Sequence, residues 1–189
     1  MKLAAFVLAL STFSVSAANW QLDSSQSSLH FISVKNELVA ESHQFSQLSG
    51  KWDGENASVS IPVSSMQTNI PIRNERIWQY VLQAEKYNSI DVKAPLKSDS
   101  IAMLTVNNSV LVDLPLTVTI AGESATLSAK LRITKLSDSV LQASTETPLM
   151  MNINSFKLGA GVAKLQELAG LKRIEPLVPV SFNVRFAQQ

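Results

Sequence analysis

Cysteine is absent from all 189 residues. Its absence removes disulfide frameworks, zinc–thiolate sites, iron–sulfur clusters and thiol nucleophiles together. Histidine is nearly as scarce, with only His30 and His43. Charge is sparse too. Charged side chains make up 16% of the chain, and 16 Lys and Arg against 15 Asp and Glu leave a formal net charge of +1. So balanced a chain carries no electrostatic footprint for DNA or RNA. It contains no Walker A or G-x-G-x-x-G run and no G-x-S-x-G elbow of the serine-hydrolase kind. What it does have is 46% hydrophobic residues, too many for a disordered polymer. At this length they supply one domain with a core that needs no disulfide or metal.

The first 18 residues, MKLAAFVLALSTFSVSAA, have the form of a bacterial secretory signal. Lys2 is the positive start, Leu3 to Leu10 the apolar run, and Ser16, Ala17 and Ala18 a small-residue cleavage site. The run falls short of the roughly 20 apolar residues that a bilayer span requires. Cleavage is expected after Ala17 or Ala18. The mature domain is then 19–189 and its expected location is the periplasm, where ATP, NAD and nucleic acids are poor candidate ligands.

The rest of the chain alternates. Val110, Val112, Leu114, Leu116, Val118 and Ile120 hold every even position of one stretch, with Ser109, Asp113, Thr117 and Thr119 among the odd ones. Period two over such a length is a strand with one buried face. Pro115 on its outer side predicts a bulge or a locally unpaired edge. The same alternation marks 127–134, 178–186 and 58–63. Weaker candidates are 29–35, 42–52, 90–96, 101–107 and 140–145. Two short helices are expected, over 74–83 with Ile77, Trp78 and Val81 on one stripe, and over 162–169 ending at Gly170. About eight strands without regular strand–helix alternation predict an all-β antiparallel barrel or sandwich. A barrel of that size holds either packed side chains or one slim ligand. The length of the central strand and the two helical insertions favour a cavity.

Candidate chemistry is thin. His30 and His43, with Glu37 and Glu41 nearby, lack metal-ligand spacing, and solvated or turn-facing histidines are the better reading. Asp91, Asp113, Glu123 and Asp138 show no pairing suited to acid–base work. Neither a metal, a cofactor nor a catalytic residue is assigned. A diphosphate head group would call for guanidinium groups. Arg73, Arg76, Arg132, Arg173 and Arg185 are the candidates, each more naturally a solvated surface charge. Trp78 and Tyr80 on the first helix are candidates for a barrel mouth.

Several segments, in this order and spacing, carry a resemblance. They are SSLHFISVKNELVAESHQF (27–45) after the short Trp20-Gln21-Leu22-Asp23 strand, VSIPVSSMQTNIPIRNER (59–76), AEKYNSI (84–90), MNINSFKLGAG (151–161) and PLVPVSFNVRF (176–186). The chain resembles the YceI-like, polyisoprenoid-binding periplasmic family. Departures fall at Ala121-Gly122-Glu123, at Asn88-Ser89 and at Ser155-Phe156-Lys157. The resemblance implies an extended lipocalin-like barrel whose lumen holds a long isoprenoid, either a polyprenyl phosphate or a quinone tail, without catalysis. Carried over, the lumen residues are Phe31, Phe45, Ile61, Met66, Ile77, Val81, Met103, Leu114, Leu116 and Phe156. Transient contact with the inner membrane is compatible with this reading, and the oligomeric state stays open, a homodimer included. The alternative is an exported barrel with a filled interior, acting as a protein-interaction or stress-response module.

Overall fold

The alternating segments pair into one antiparallel ring. The computed structural model describes residues 19–189, so the expected signal peptide lies outside the described residues. The strands are β1 (Trp20–Lys35), β2 (Val39–Phe45), β3 (Ser49–Trp52), β4 (Ala57–Pro62), β5 (Met66–Gln67), β6 (Ser89–Ala94), β7 (Ser109–Ile120), β8 (Glu123–Ser137), β9 (Val140–Thr145), β10 (Leu149–Asn152) and β11 (Leu177–Gln188). The helices are α1 (Pro71–Tyr80) and α2 (Gly159–Leu168). Pairing runs β1-β3-β4-β6-β7-β8-β9-β11 and returns from β11 to β1, a closed barrel of eight strands. The other three lengthen the wall at one end. There β2 replaces β3 beside β1, β10 replaces β9 beside β11, and β5 borders β2. Closing the ring leaves most of the wall without a free edge, the part of β7 before Thr117 excepted.

β7 and β8 form the longest regular hairpin. Their register is unbroken from Ser109↔Thr134 to Ile120↔Glu123, and passes through Pro115↔Ser128 without a bulge. Pro115 fits because β6 meets β7 only at Thr117–Thr119. The proline stands past the end of its second neighbour, where no ladder bond is asked of its missing N–H. The hairpin turns through Ala121 and Gly122, both at positive φ, as a two-residue loop between right-twisted strands requires.

β1 is a single strand of 16 residues, where the sequence pattern suggests a short strand at 20–23 and another at 29–35. The reason is a bulge. Against β11 the register moves from Asp23↔Arg185 to Ser28↔Asn183, so five steps along β1 match two along β11. The odd excess of three reverses which parity faces inward. Trp20 and Leu22 point to the interior before it, Leu29 and Phe31 after it. Its polar sequence closes the bulge. Asp23 Oδ1 accepts from Ser25 N–H (3.0 Å) and Oγ (2.6 Å), and Ser27 Oγ accepts from Arg185 N–H (3.0 Å).

Three further expectations are corrected. The stretch 42–52 is two strands, β2 and β3, broken at Ser46–Leu48 where Leu48 turns into the core. The stretch 101–107 is not a strand. A 3₁₀ turn at Ser98–Ile101 leads into it. Ile101 and Leu104 pack against the core at a spacing of three rather than two. The helices start earlier than their apolar stripes suggest, α1 at Pro71, a residue suited to the first helical position, and α2 at Gly159. The short strands β5 and β10 escape any periodicity argument.

The ends of the barrel differ. At one, the Trp20 and Trp52 rings pack with centroids 5.5 Å apart, and Trp52 Nε1 donates to the Leu96 carbonyl at 2.7 Å. At the other, α1 and α2 lie across the interior. A Cβ on Gly161 of α2 would collide with the Tyr80 carbonyl at the end of α1, so the helices meet backbone to backbone. Gly161→Ala is expected to cost about 1–3 kcal/mol through overpacking, read from urea unfolding, with strand content by circular dichroism unchanged.

Candidate ligand-binding cavity

Strand parity brings one face of every barrel strand inward, and these faces do not fill the space they enclose. The main cavity has a volume of about 220 Å³. A dry apolar cavity of about 150 Å³ already accommodates benzene, so this one exceeds the needs of a single ring. Its floor is Leu29 and Phe31 from β1, Phe45 from β2, Ile61 from β4, Ile90 and Val92 from β6, and Leu116, Val118 and Ile120 from β7. Val178, Val180 and Phe182 of β11 complete the wall, while Ile77, Val162 and Leu165 reach in from the helices. A second cavity of about 80 Å³ lies towards the tryptophan end, lined by Trp52, Leu96, Leu114, Ile133, Leu141 and Phe186 among others. Val92, Leu116 and Phe182 belong to both linings. The two therefore lie in tandem along the barrel. Together they span Val178 to Phe186 of β11, about 26 Å of strand at 3.3 Å per residue.

Of the ten residues expected in the lumen, seven line the main cavity: Phe31, Phe45, Ile61, Met66, Ile77, Val81 and Leu116. Leu114 lines the smaller one. Phe156 is 1% exposed and packed in the core, in a 3₁₀ turn before α2, and touches neither cavity. Met103 is 94% exposed. The turn that points Ile101 and Leu104 inward points Met103 out. Trp78 and Tyr80 line neither cavity. Lining residues of β6, β8, β10, β11 and α2 are missing from the expected set; alternation shows which face of 127–134 and 178–186 is apolar, but only the strand pairing shows which of those residues stand at the cavity.

Polar groups gather at the helical end. His43 is 4% exposed, not solvated as its sequence setting suggests. Phe31 pairs with His43 and Ser33 with Glu41 across β1 and β2, so all four share the inward face. Nε2 of His43 lies 2.8 Å from Ser33 Oγ. Burial, then the charge of Arg73, hold the imidazole below its ordinary pKa, with Lys35 adding and Glu41 opposing. Glu41 is clasped by Lys35 (2.8 Å) and Arg73 (2.9 Å), and the Lys35 hydrogen bond leads in keeping its carboxyl below the usual range. Arg73 also donates to the Thr68 carbonyl, and Asn74 Oδ1 accepts from Thr68 N–H (3.0 Å) and Oγ1 (2.6 Å). These bonds tie the start of α1 to the wall. Among the described residues no group of three or more His, Asp or Glu is placed to hold a metal ion.

The YceI-like domain model matches residues 20–186. The chain belongs to the YceI-like family. Among solved structures it is similar to a polyisoprenoid-binding domain from Saccharophagus degradans, implicated in plant cell wall breakdown. Identity there is 30%, coverage 90% of this chain and 98% of that one, and the TM-score 0.87. The BcnA protein of Burkholderia cenocepacia has 15% identity over 87% of this chain and 98% of that one, with a TM-score of 0.66. A Campylobacter jejuni YceI protein has 16% identity over 78% and 84%, with a TM-score of 0.54. These last two share the fold. No curated protein matches the chain.

The buried histidine makes a pH prediction. As pH falls below about 6.5 the unfolded chain protonates this histidine, while the folded one resists. Stability is therefore full above that value and declines as pH drops through it. Urea unfolding at about pH 7.5 and about pH 5.5 should show the loss, and His43→Gln should flatten it. An equal slope in both proteins would assign the loss to other groups.

Proposed function

We propose that this protein is an exported, non-catalytic binding protein for a long isoprenoid lipid, whose chain occupies the two cavities in tandem. The observation that carries the reading is the hollow, almost wholly apolar lumen. A barrel that served only as a protein-interaction module has no need to leave such space unfilled, since unpaired interior surface forfeits dispersion contacts. The similar Saccharophagus degradans domain, described as polyisoprenoid-binding, supports the same ligand class. Each enclosed methylene-sized group contributes about 0.8 kcal/mol. A polyprenyl chain thus nears the affinity ceiling of roughly 18–21 kcal/mol long before it is fully buried. Retention through purification follows even after ordering costs. Export rests on the character of residues 1–18, and the mature chain purified from a Gram-negative periplasm should begin at Ala18 or Asn19.

Organic extraction of that protein followed by mass spectrometry should yield a prenyl lipid near one per chain. Val92, shared by both cavities, is the position for a blocking variant. Val92→Trp should fold and come out empty, because the indole occupies the junction. Leu116→Lys places an unpaired charge at the same junction and should cost several kcal/mol or force the amine neutral. Full lipid content in Val92→Trp would remove the lumen as the binding site.

A further inference from the structure

The main cavity is apolar except at one place. Ser33 and Glu175 are the polar side chains in its lining. Glu175 is engaged twice by Arg173, at 2.9 Å and 3.0 Å. That leaves the Ser33 hydroxyl, with His43 Nε2 at 2.8 Å. Two proton arrangements fit this distance. Ser33 donates to a bare Nε2 and the ring proton sits on Nδ1, or Nε2–H donates to Oγ. Nδ1 is buried and has no hydrogen-bond partner among the described residues. A stranded N–H is a rarer and costlier orphan than an unused lone pair. The hydrogen-bond network therefore assigns the proton to Nε2. Ser33 Oγ then accepts from His43, and its own O–H has no acceptor among the described residues, at the wall of the apolar cavity.

We infer that Ser33 is the head-group anchor of the lumen: a hydroxyl fixed by His43 that donates to a ligand whose chain ends in a neutral hydrogen-bond acceptor, a quinone-type carbonyl, in preference to a phosphate. The inference rests on the lumen being the lipid site. The surrounding charges favour the same choice. Lys35 and Arg73 are both held by Glu41, and Arg73 also serves the Thr68 carbonyl. A phosphate would have to strip these partners and lie beside the Glu41 carboxylate, whereas a carbonyl needs one donor. Beside the hydroxyl, the Phe31 ring lies 5.0 Å from that of His43 and 5.7 Å from that of Phe45. These aromatic faces suit a flat conjugated ring.

The test is displacement of N-phenylnaphthylamine from the mature protein by three probes with matched tails, namely decylubiquinone, decyl phosphate and decane. Wild type should bind decylubiquinone roughly tenfold more tightly than decane, and decyl phosphate no better than decane. Ser33→Ala should weaken decylubiquinone binding several-fold and leave decane binding unchanged, the remaining preference coming from the ring's own packing, and Ser33→Thr, which keeps the hydroxyl, should restore the lost affinity. Tightest binding of decyl phosphate, or decylubiquinone affinity unchanged in Ser33→Ala, would overturn the anchor. Equal binding of decane and decylubiquinone by wild type would overturn the anchor while the lumen reading stands. Failure of all three to displace the dye would bring down both. If Ser33→Ala does not fold, the wild-type ranking decides.

Discussion

Antiparallel pairing of β1 with β11 closes the sheet, and that closure dictates where every apolar side chain can go. Once the ring is shut, each strand has one face to the interior and one to solvent, and the alternation of the sequence has only one consistent solution. The bulge after Asp23 is part of that constraint. Without its odd count, either Trp20 and Leu22 or Leu29 and Phe31 would face water. Four polar residues at 24–27 thus set the polarity of a strand that contributes both to the tryptophan plug and to the main cavity.

A closed ring permits a hollow core in a way that a two-layer sandwich does not. The backbone hydrogen bonds of the wall are satisfied around the circumference, so the wall does not need the interior filled in order to stand. The interior still lacks the dispersion contacts of a packed core. Residues such as Leu29, Phe31, Val180 and Phe182 stay only half-buried although they point inward, because the space in front of them is vacant. An apolar chain supplies those missing contacts without asking for any polar partner along most of its length. Chain length and enclosure, rather than specific contacts, govern such an affinity. Selectivity has to come from the few places where the wall is polar.

Much of this architecture is legible in the sequence, and the parts that are not have identifiable causes. The β7–β8 hairpin is read from alternation alone because both strands are long, regular and polar on one face. The stretch at 101–107 misleads because Ile101, Met103, Leu104 and Val106 make it rich in strand-compatible apolar residues, while the 3₁₀ turn imposes a spacing of three. The resemblance implies lumen positions for Met103 and Phe156 alike, but the turn leaves Met103 exposed, and Phe156 is buried in the 3₁₀ turn before α2, beside β8. His43 and Ser33 are the instructive miss. Each is unremarkable in its own segment. Only the β1–β2 register, in which 31 faces 43 and 33 faces 41, puts them side by side, and no periodicity within one strand can supply a register between two.

That register also explains why the polar groups lie at one end. The loop Asn36-Glu37-Leu38 joins β1 to β2 with Asn36 and Glu37 at positive φ, and fixes Lys35 opposite Val39. Counting back from it by twos puts Ser33, Glu41 and His43 on the inward face just below the helices, with Phe31 and Phe45 beneath them. Polarity therefore falls along the barrel axis from the ion-paired Glu41 to the Ser33–His43 pair to the apolar lumen and the indole plug. A molecule with one polar end and a long apolar tail has one favourable direction in such a gradient. Reversing it would bury the polar end against Trp52 and Leu96, where the indole N–H is already committed to a carbonyl and no other donor lines the cavity except the Gln142 amide. The strand pairing that closes the barrel thus also sets the one direction in which such a molecule fits the lumen.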